Sequence, residues 1–154
     1  MCIRDSNEEK VKLMKSGQSP IYEPNLSELM HSSLESGNLE FSSDLAKGVN
    51  HGDILFIAVG TPALPSGDSD TRYVEAVAKG IGTHLNDGYK VIVNKSTVPI
   101  GSGDWVKMIV LDSMKQRQKV SQDEGFVMQE EIDSNFDVVS NPCLLYTSPS
   151  PRDS

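Results

Sequence analysis

The sequence predicts a doubly wound, parallel α/β sheet. Apolar, strand-like runs alternate with stretches of helical period in the order strand, helix, strand, helix, strand, and the crossovers are long enough for parallel pairing. Three short runs, Val59-Gly60-Thr61-Pro62, Asn94-Lys95-Ser96-Thr97-Val98-Pro99 and Ser140-Asn141-Pro142, each follow such an apolar stretch. Small and hydroxyl-bearing residues just past parallel strands line the crevice where ligands of this architecture sit. Three successive turns of that kind point to a ligand edge.

Each element has its own reason. Val11, Leu13 and Met14 among charges make Glu8 to Lys15 a short amphipathic helix, ended by Gly17. Pro20 and Pro24 bracket a stiff connector, Ile21-Tyr22-Glu23. Leu26, Leu29, Met30 and Leu34 recur at helical spacing until Gly37, and Leu39-Glu40-Phe41 is a brief strand. Ser43 and Asp44 can cap a short helix reaching about Asn50. Asp53 to Val59 reads as a central strand, apolar on both faces because helices cover each side. Thr71 to Asn86 is a helix, with Tyr73, Val77, Ile81 and Leu85 stepping by four. Lys90 to Asn94 is the next strand. Trp105, Val106, Ile109 and Val110 mark a helix beginning near Ser102 or Gly103, with Trp105 in the core. Ser113 to Asn135 lacks period and is expected as a loop with at most one helical turn, before a last strand from Phe136 to Val139.

The totals exclude whole classes. At 154 residues the chain suits one ordinary domain. A net charge of -8 with no basic stripe argues against a nucleic-acid partner, since phosphate binding needs clustered Lys and Arg. No apolar run reaches the roughly 18 to 20 residues of a membrane span, and no secretory signal is present, so a cytoplasmic protein is expected. Cys2 and Cys143 have no metal-ligand spacing, and His31, His51 and His84 are scattered, so no metal site is expected.

The two ends read as foreign. Residues 1–6 and 143–154 both close on Arg-Asp-Ser and resemble translated sequencing-adaptor sequence. They are set aside from the fold, which leaves residues 7–142 as a domain truncated at both ends.

Within that body, Gly60 lets a ligand approach the backbone and Pro62 fixes the turn, although a plain turn explains the same residues. Thr61 can offer a hydroxyl and an N–H. Ser96 and Thr97 can bind a phosphate or ribose or position a water, whereas Ser96 could equally cap a helix. Asn141 is a polar group at the same edge or a turn-former, and Lys95 alone reads as a solvated lysine. Tyr22-Glu23-Pro24 is a binding corner or a rigid link. Gly80-Ile81-Gly82 falls inside a helix and so fails the context test for a dinucleotide fingerprint. If the chain binds a dinucleotide, its phosphate loop is expected upstream of Asn7.

Ser19-Pro20-Ile21-Tyr22-Glu23-Pro24-Asn25-Leu26, Ile57 to Pro62, Val93 to Gly101 and Ser140-Asn141-Pro142, in that order and spacing, resemble the NAD-binding domain of the UDP-glucose/GDP-mannose dehydrogenases. The resemblance covers nearly all of residues 7–142 and implies a Rossmann-like domain. It also implies oxidation of the C6 alcohol of a nucleotide sugar, UDP-glucose foremost, to a carboxylate with two NAD and a covalent cysteine adduct. By matching positions it implies that Lys10, Val59, Gly60, Thr61, Pro62, Ser96 and Thr97 contact NAD, with Thr97 also holding the catalytic water. Asp5 falls where the ribose-binding acidic residue belongs, but within the hexapeptide set aside above. Cys143-Leu144-Leu145 stands where the family has Glu-Phe-Leu, and Cys143 is not the family's nucleophile. The 154 residues alone are therefore expected to show no turnover, and the full-length parent is expected to be a homo-oligomer. GDP-mannose and UDP-N-acetylhexosamines are the competing substrates. A non-catalytic nucleotide-binding domain and an α/β interaction domain without ligand are the alternatives from other classes.

Overall fold

A computed structural model of the chain describes residues 1–86, 88–122 and 135–141, with the backbone alone described for 118–122. Two compact units emerge, one of residues 1–53 with 84–86 and one of residues 54–83 with the described residues beyond 87.

In the first unit, β1 (Cys2–Arg4) pairs parallel with β2 (Glu40–Ser42), Ile3 opposite Phe41. Helix α1 (Glu8–Lys15) starts at Asn7, whose side chain accepts the Lys10 N–H. Glu8 and Glu9 in its first turn and Lys12 and Lys15 in its last complement the helix dipole. Helix α2 (Leu26–Glu35) follows the proline-bracketed connector, and α3 (Leu45–His51) is capped by Asp44, which accepts the Lys47 N–H. Val11, Met14, Met30, Leu39 and Phe41 form one buried cluster, with Leu26 and Leu34 packed on it. Leu29, expected on that face, is instead exposed; the buried stripe follows only the steps of four from Leu26.

The second unit carries β3 (Ile54–Ile57), α4 (Arg72–His84, its last residue in the first unit), β4 (Lys90–Asn94), α5 (Ser102–Gln122) and β5 (Phe136–Ser140). The strands lie in the order β3-β4-β5, all parallel, with Ile57 opposite Asn94 and Asn94 opposite Ser140. Parallel neighbours need crossovers, and α4 and α5 supply them. Val74, Ala78, Ile81, Ile92, Val106, Val110 and Phe136 are buried between these layers.

Four expectations need correction. Residues 2–4 form a strand; three residues are too few to show a period, and it is the pairing with β2 that makes them one. Helix α5 runs on through Gln122, well into the predicted loop, while residues 123–134 lie outside the described residues. Lys115, Gln116 and Arg117 are good helix formers without an apolar stripe, so a search for period passes over them. Arg117 Nη1 also donates to the Thr83 carbonyl at 3.0 Å, tying that stretch to α4. Strand β3 is not covered on both faces: Ile54 and Phe56 are 58% and 65% exposed, while Leu55 and Ile57 face inward. Trp105 is half-buried rather than core.

The approach to α4 depends on one carboxylate. Asp70, its side chain 5% exposed, accepts from the Arg72 N–H at 3.1 Å and from Arg72 Nε and Nη2 at 2.9 and 2.6 Å. Hydrogen bonds from the Arg72 side chain, then from its backbone, hold the Asp70 carboxyl below the usual carboxylate range. A lowered folded-state value means that this stabilisation is whole above about pH 4, the unfolded value, and is lost as the pH falls through the folded one. Asp70→Asn is expected to melt below the parent chain at pH 7, with the gap closing under acid. A gap that stays constant from neutral pH into acid would contradict the assignment.

Candidate functional site

The candidate site is the carboxyl edge of the three-stranded sheet. Because Ile57, Asn94 and Ser140 stand side by side, the chain leaves all three strands at one level. The ladder extends one step further on each side. The Lys95 N–H donates to the Ile57 carbonyl at 2.8 Å, and the Asn141 N–H to the Asn94 carbonyl at 2.9 Å.

Beyond the ladder, one side chain joins the first two turns. Ser96 is buried, and its Oγ donates to the Val59 carbonyl at 2.8 Å and accepts the Val59 N–H at 3.0 Å. A serine hydroxyl has a single proton to give. The Ser96 proton is spent on Val59, so its hydroxyl holds the neighbouring turn instead of reaching out as a donor. It caps no helix either; α5 starts at Ser102, whose Oγ donates to the Pro99 carbonyl.

The other predicted residues fall as follows. Val59 and Thr61 are half-buried on the first turn, with Gly60 and Pro62 exposed, and Thr97 is exposed on the second. The loop after Pro62 is closed by the Asp70 N–H on the Pro62 carbonyl at 2.8 Å and by a bridge between Ala63 and Ser69. Gly60 lacks a left-handed backbone, and a Cβ built on it meets nothing within 4 Å. The fold itself therefore does not demand glycine there. Lys10 belongs to the first unit, exposed on α1, its N–H donating to Asn7 Oδ1 at 3.0 Å. Asp5 follows β1 and accepts the Asn7 N–H at 2.8 Å. Pro142 and Cys143 lie outside the described residues.

A cleft of about 550 Å³ opens beside the same edge, lined by Val98, Gly101, Asp104, Lys107 and Ser140 among others. Asp137 at its wall accepts from the Tyr89 hydroxyl at 2.8 Å, which pushes the tyrosine pKa up, and faces Lys107 Nζ at 3.6 Å. Among the described residues no His, Cys, Asp or Glu group could hold a metal ion, and no helix is long and apolar enough to cross a membrane.

Sequence reasoning passed over Asn94. It is fully buried, its Oδ1 accepts the Ser96 N–H at 3.2 Å, and its Nδ2 has no partner among the described residues. The available signal was an amide closing the apolar run Val91-Ile92-Val93.

Comparison with known proteins concerns the chain as a whole. The family model described as the UDP-glucose/GDP-mannose dehydrogenase family, NAD binding domain, matches residues 1–150. The UDP-glucose 6-dehydrogenase TuaD of Bacillus subtilis is 44% identical over 141 residues, 92% of this chain and 27% of that protein. Among solved structures, a UDP-glucose dehydrogenase from Pyrobaculum islandicum aligns at TM-score 0.77 and 33% identity over 94% of this chain. A GDP-mannose dehydrogenase from Pseudomonas aeruginosa aligns at TM-score 0.74 and 29% identity over 99%. The chain spans 30% and 32% of those two proteins, so it corresponds to under a third of each relative named here.

Proposed function

The chain belongs to the UDP-glucose/GDP-mannose dehydrogenase family, in the part matched by its NAD-binding domain, and we propose that the protein carrying it oxidises the C6 alcohol of UDP-glucose to the carboxylate of UDP-glucuronate. The observation that carries this reading is the joined rim, two strand-end turns clasped through Ser96 and Val59 with an open glycine between them and the solvent. The fit to a dinucleotide rests on Gly60. Its Cα faces free space that the fold leaves unfilled, as close backbone approach to a flat cofactor requires.

Each NAD accepts one hydride, so two are consumed in taking the alcohol carbon to a carboxylate, with a water giving the second oxygen. The chain's own residues bind and orient. Val59, Gly60, Thr61 and Pro62 offer backbone and a hydroxyl to the cofactor, and Ser96 holds that turn at its height; a part for Lys10 at the adenosine ribose rests on the family resemblance alone. Thr97, exposed on the second turn, holds the attacking water. The same reading makes the parent protein a cytoplasmic homo-oligomer acting on a small nucleotide sugar.

The test is NADH formation by the purified full-length protein with UDP-glucose, GDP-mannose and UDP-N-acetylmannosamine. The expected result is the highest kcat/KM with UDP-glucose and two NADH per sugar. A preference for either competitor overturns the substrate, and failure to bind or reduce NAD with all three overturns the dehydrogenase reading.

A further inference from the structure

We propose that Asn94 is a positioning residue, setting the orientation of the Val59 turn from beneath the rim. The inference rests on reading that turn as the cofactor's seat. Strand β3 ends at Ile57 and the ladder's last pair is Ile57 with Asn94, so Val59 lies beyond the reach of sheet hydrogen bonds. Its direction is decided instead by Ser96, which takes both its N–H and its carbonyl. Ser96 is in turn held by the acceptor Oδ1 of Asn94 on its own N–H. The relay runs from a fully buried amide through one hydroxyl to the backbone just before Gly60.

The orphaned end of the amide strengthens the case. Nδ2 is buried and has no partner among the described residues. It cannot be exchanged for Oδ1 by flipping the amide, because an N–H of Ser96 requires an oxygen opposite it. Burying an unpaired amino group is unfavourable. An apolar residue like those before it in β4 would avoid the penalty and preserve the strand, but would leave Ser96 without its acceptor. The carbonyl of the side chain is what the position uses, and what it uses it for is the height of the rim.

The relay predicts coupling, which a merely structural asparagine does not. In the full-length protein, N94A, S96A and the double variant are compared for KM toward NAD, kcat and hydrogen exchange of the Val59 amide. Loss of one buried hydrogen bond corresponds to about a tenfold change. N94A is therefore expected to raise KM for NAD about tenfold with kcat little changed, and to speed Val59 exchange by about as much. The double variant is expected to match S96A, because both substitutions cut one chain of bonds. Wild-type KM and exchange in N94A, or effects that multiply in the double variant, overturn the proposal. Should N94A fail to fold, N94D carries the test because it keeps the acceptor. It should retain slow Val59 exchange, and exchange as fast as in S96A overturns the relay. If the parent protein binds no NAD, the cofactor reading fails by itself, while the exchange data still decide whether Asn94 holds Val59.

Discussion

Gly82→Ala lowers the melting temperature of the chain by about 6 °C, and Gly82→Val lowers it further. A methyl group on Gly82 in α4 would stand 2.4 Å from the Val110 carbonyl oxygen and 2.8 Å from Ser113 Cβ, both on α5. Neither atom is the tip of a flexible side chain, so the two helices must separate. Local preference argues the other way, since alanine is favoured over glycine inside a helix by about 1 kcal/mol. Overpacking costs about 1–3 kcal/mol, and more where backbone is the obstacle. The clash wins. A net loss of about 2 kcal/mol, at about 2–4 °C per kcal/mol for a chain of 154 residues, gives the stated shift. Thermal denaturation followed by circular dichroism reads it directly, and a raised melting temperature would mean that α4 and α5 do not pack this closely.

Gly60→Ala produces the opposite pair of effects. Its added Cβ meets nothing within 4 Å and the backbone there is not left-handed, so the melting temperature is expected to stay within about 1 °C of the parent. The same methyl stands in the space assigned to the cofactor. Overpacking of about 1–3 kcal/mol against a bound ligand corresponds to a KM for NAD raised roughly 5- to 150-fold in the full-length protein. Steady-state kinetics with varied NAD, alongside melting of the same preparation, separates the two. A lower melting temperature with unchanged KM would assign Gly60 to the turn and remove the observation on which the cofactor fit rests. One glycine is required by a neighbouring helix, whereas the fold leaves the other free and only the proposed cofactor would require it.

Several elements are legible in the sequence alone. Helix α1 and strand β4 fall on their predicted bounds, and Asp44 caps α3 as read, because caps, charges and apolar period act within a few residues of one another. The three strand-end turns were legible for the same reason, and with Ser19 to Leu26 their order and spacing resembled the family that the comparison shows. What proximity along the chain cannot encode was misread. Phe56 and Leu29 were expected inward, but whether an apolar residue is covered depends on which surface another element brings to it. The polar half of α5 has no stripe to reveal it and is joined to α4 through Arg117 and Thr83, 34 residues apart.

The sequence by itself determined the alternation of elements, the parallel sheet, the family and the residues crowding its carboxyl edge, all of which follow from local propensity and motif spacing. Only the tertiary structure decided what those residues do to each other. The Ser96 hydroxyl, read as a ligand group or a helix cap, is committed to Val59, 37 residues away, while the buried Asn94 side chain accepts the Ser96 N–H. A hydroxyl has one proton, and which acceptor takes it is settled by the folding of distant strands into register.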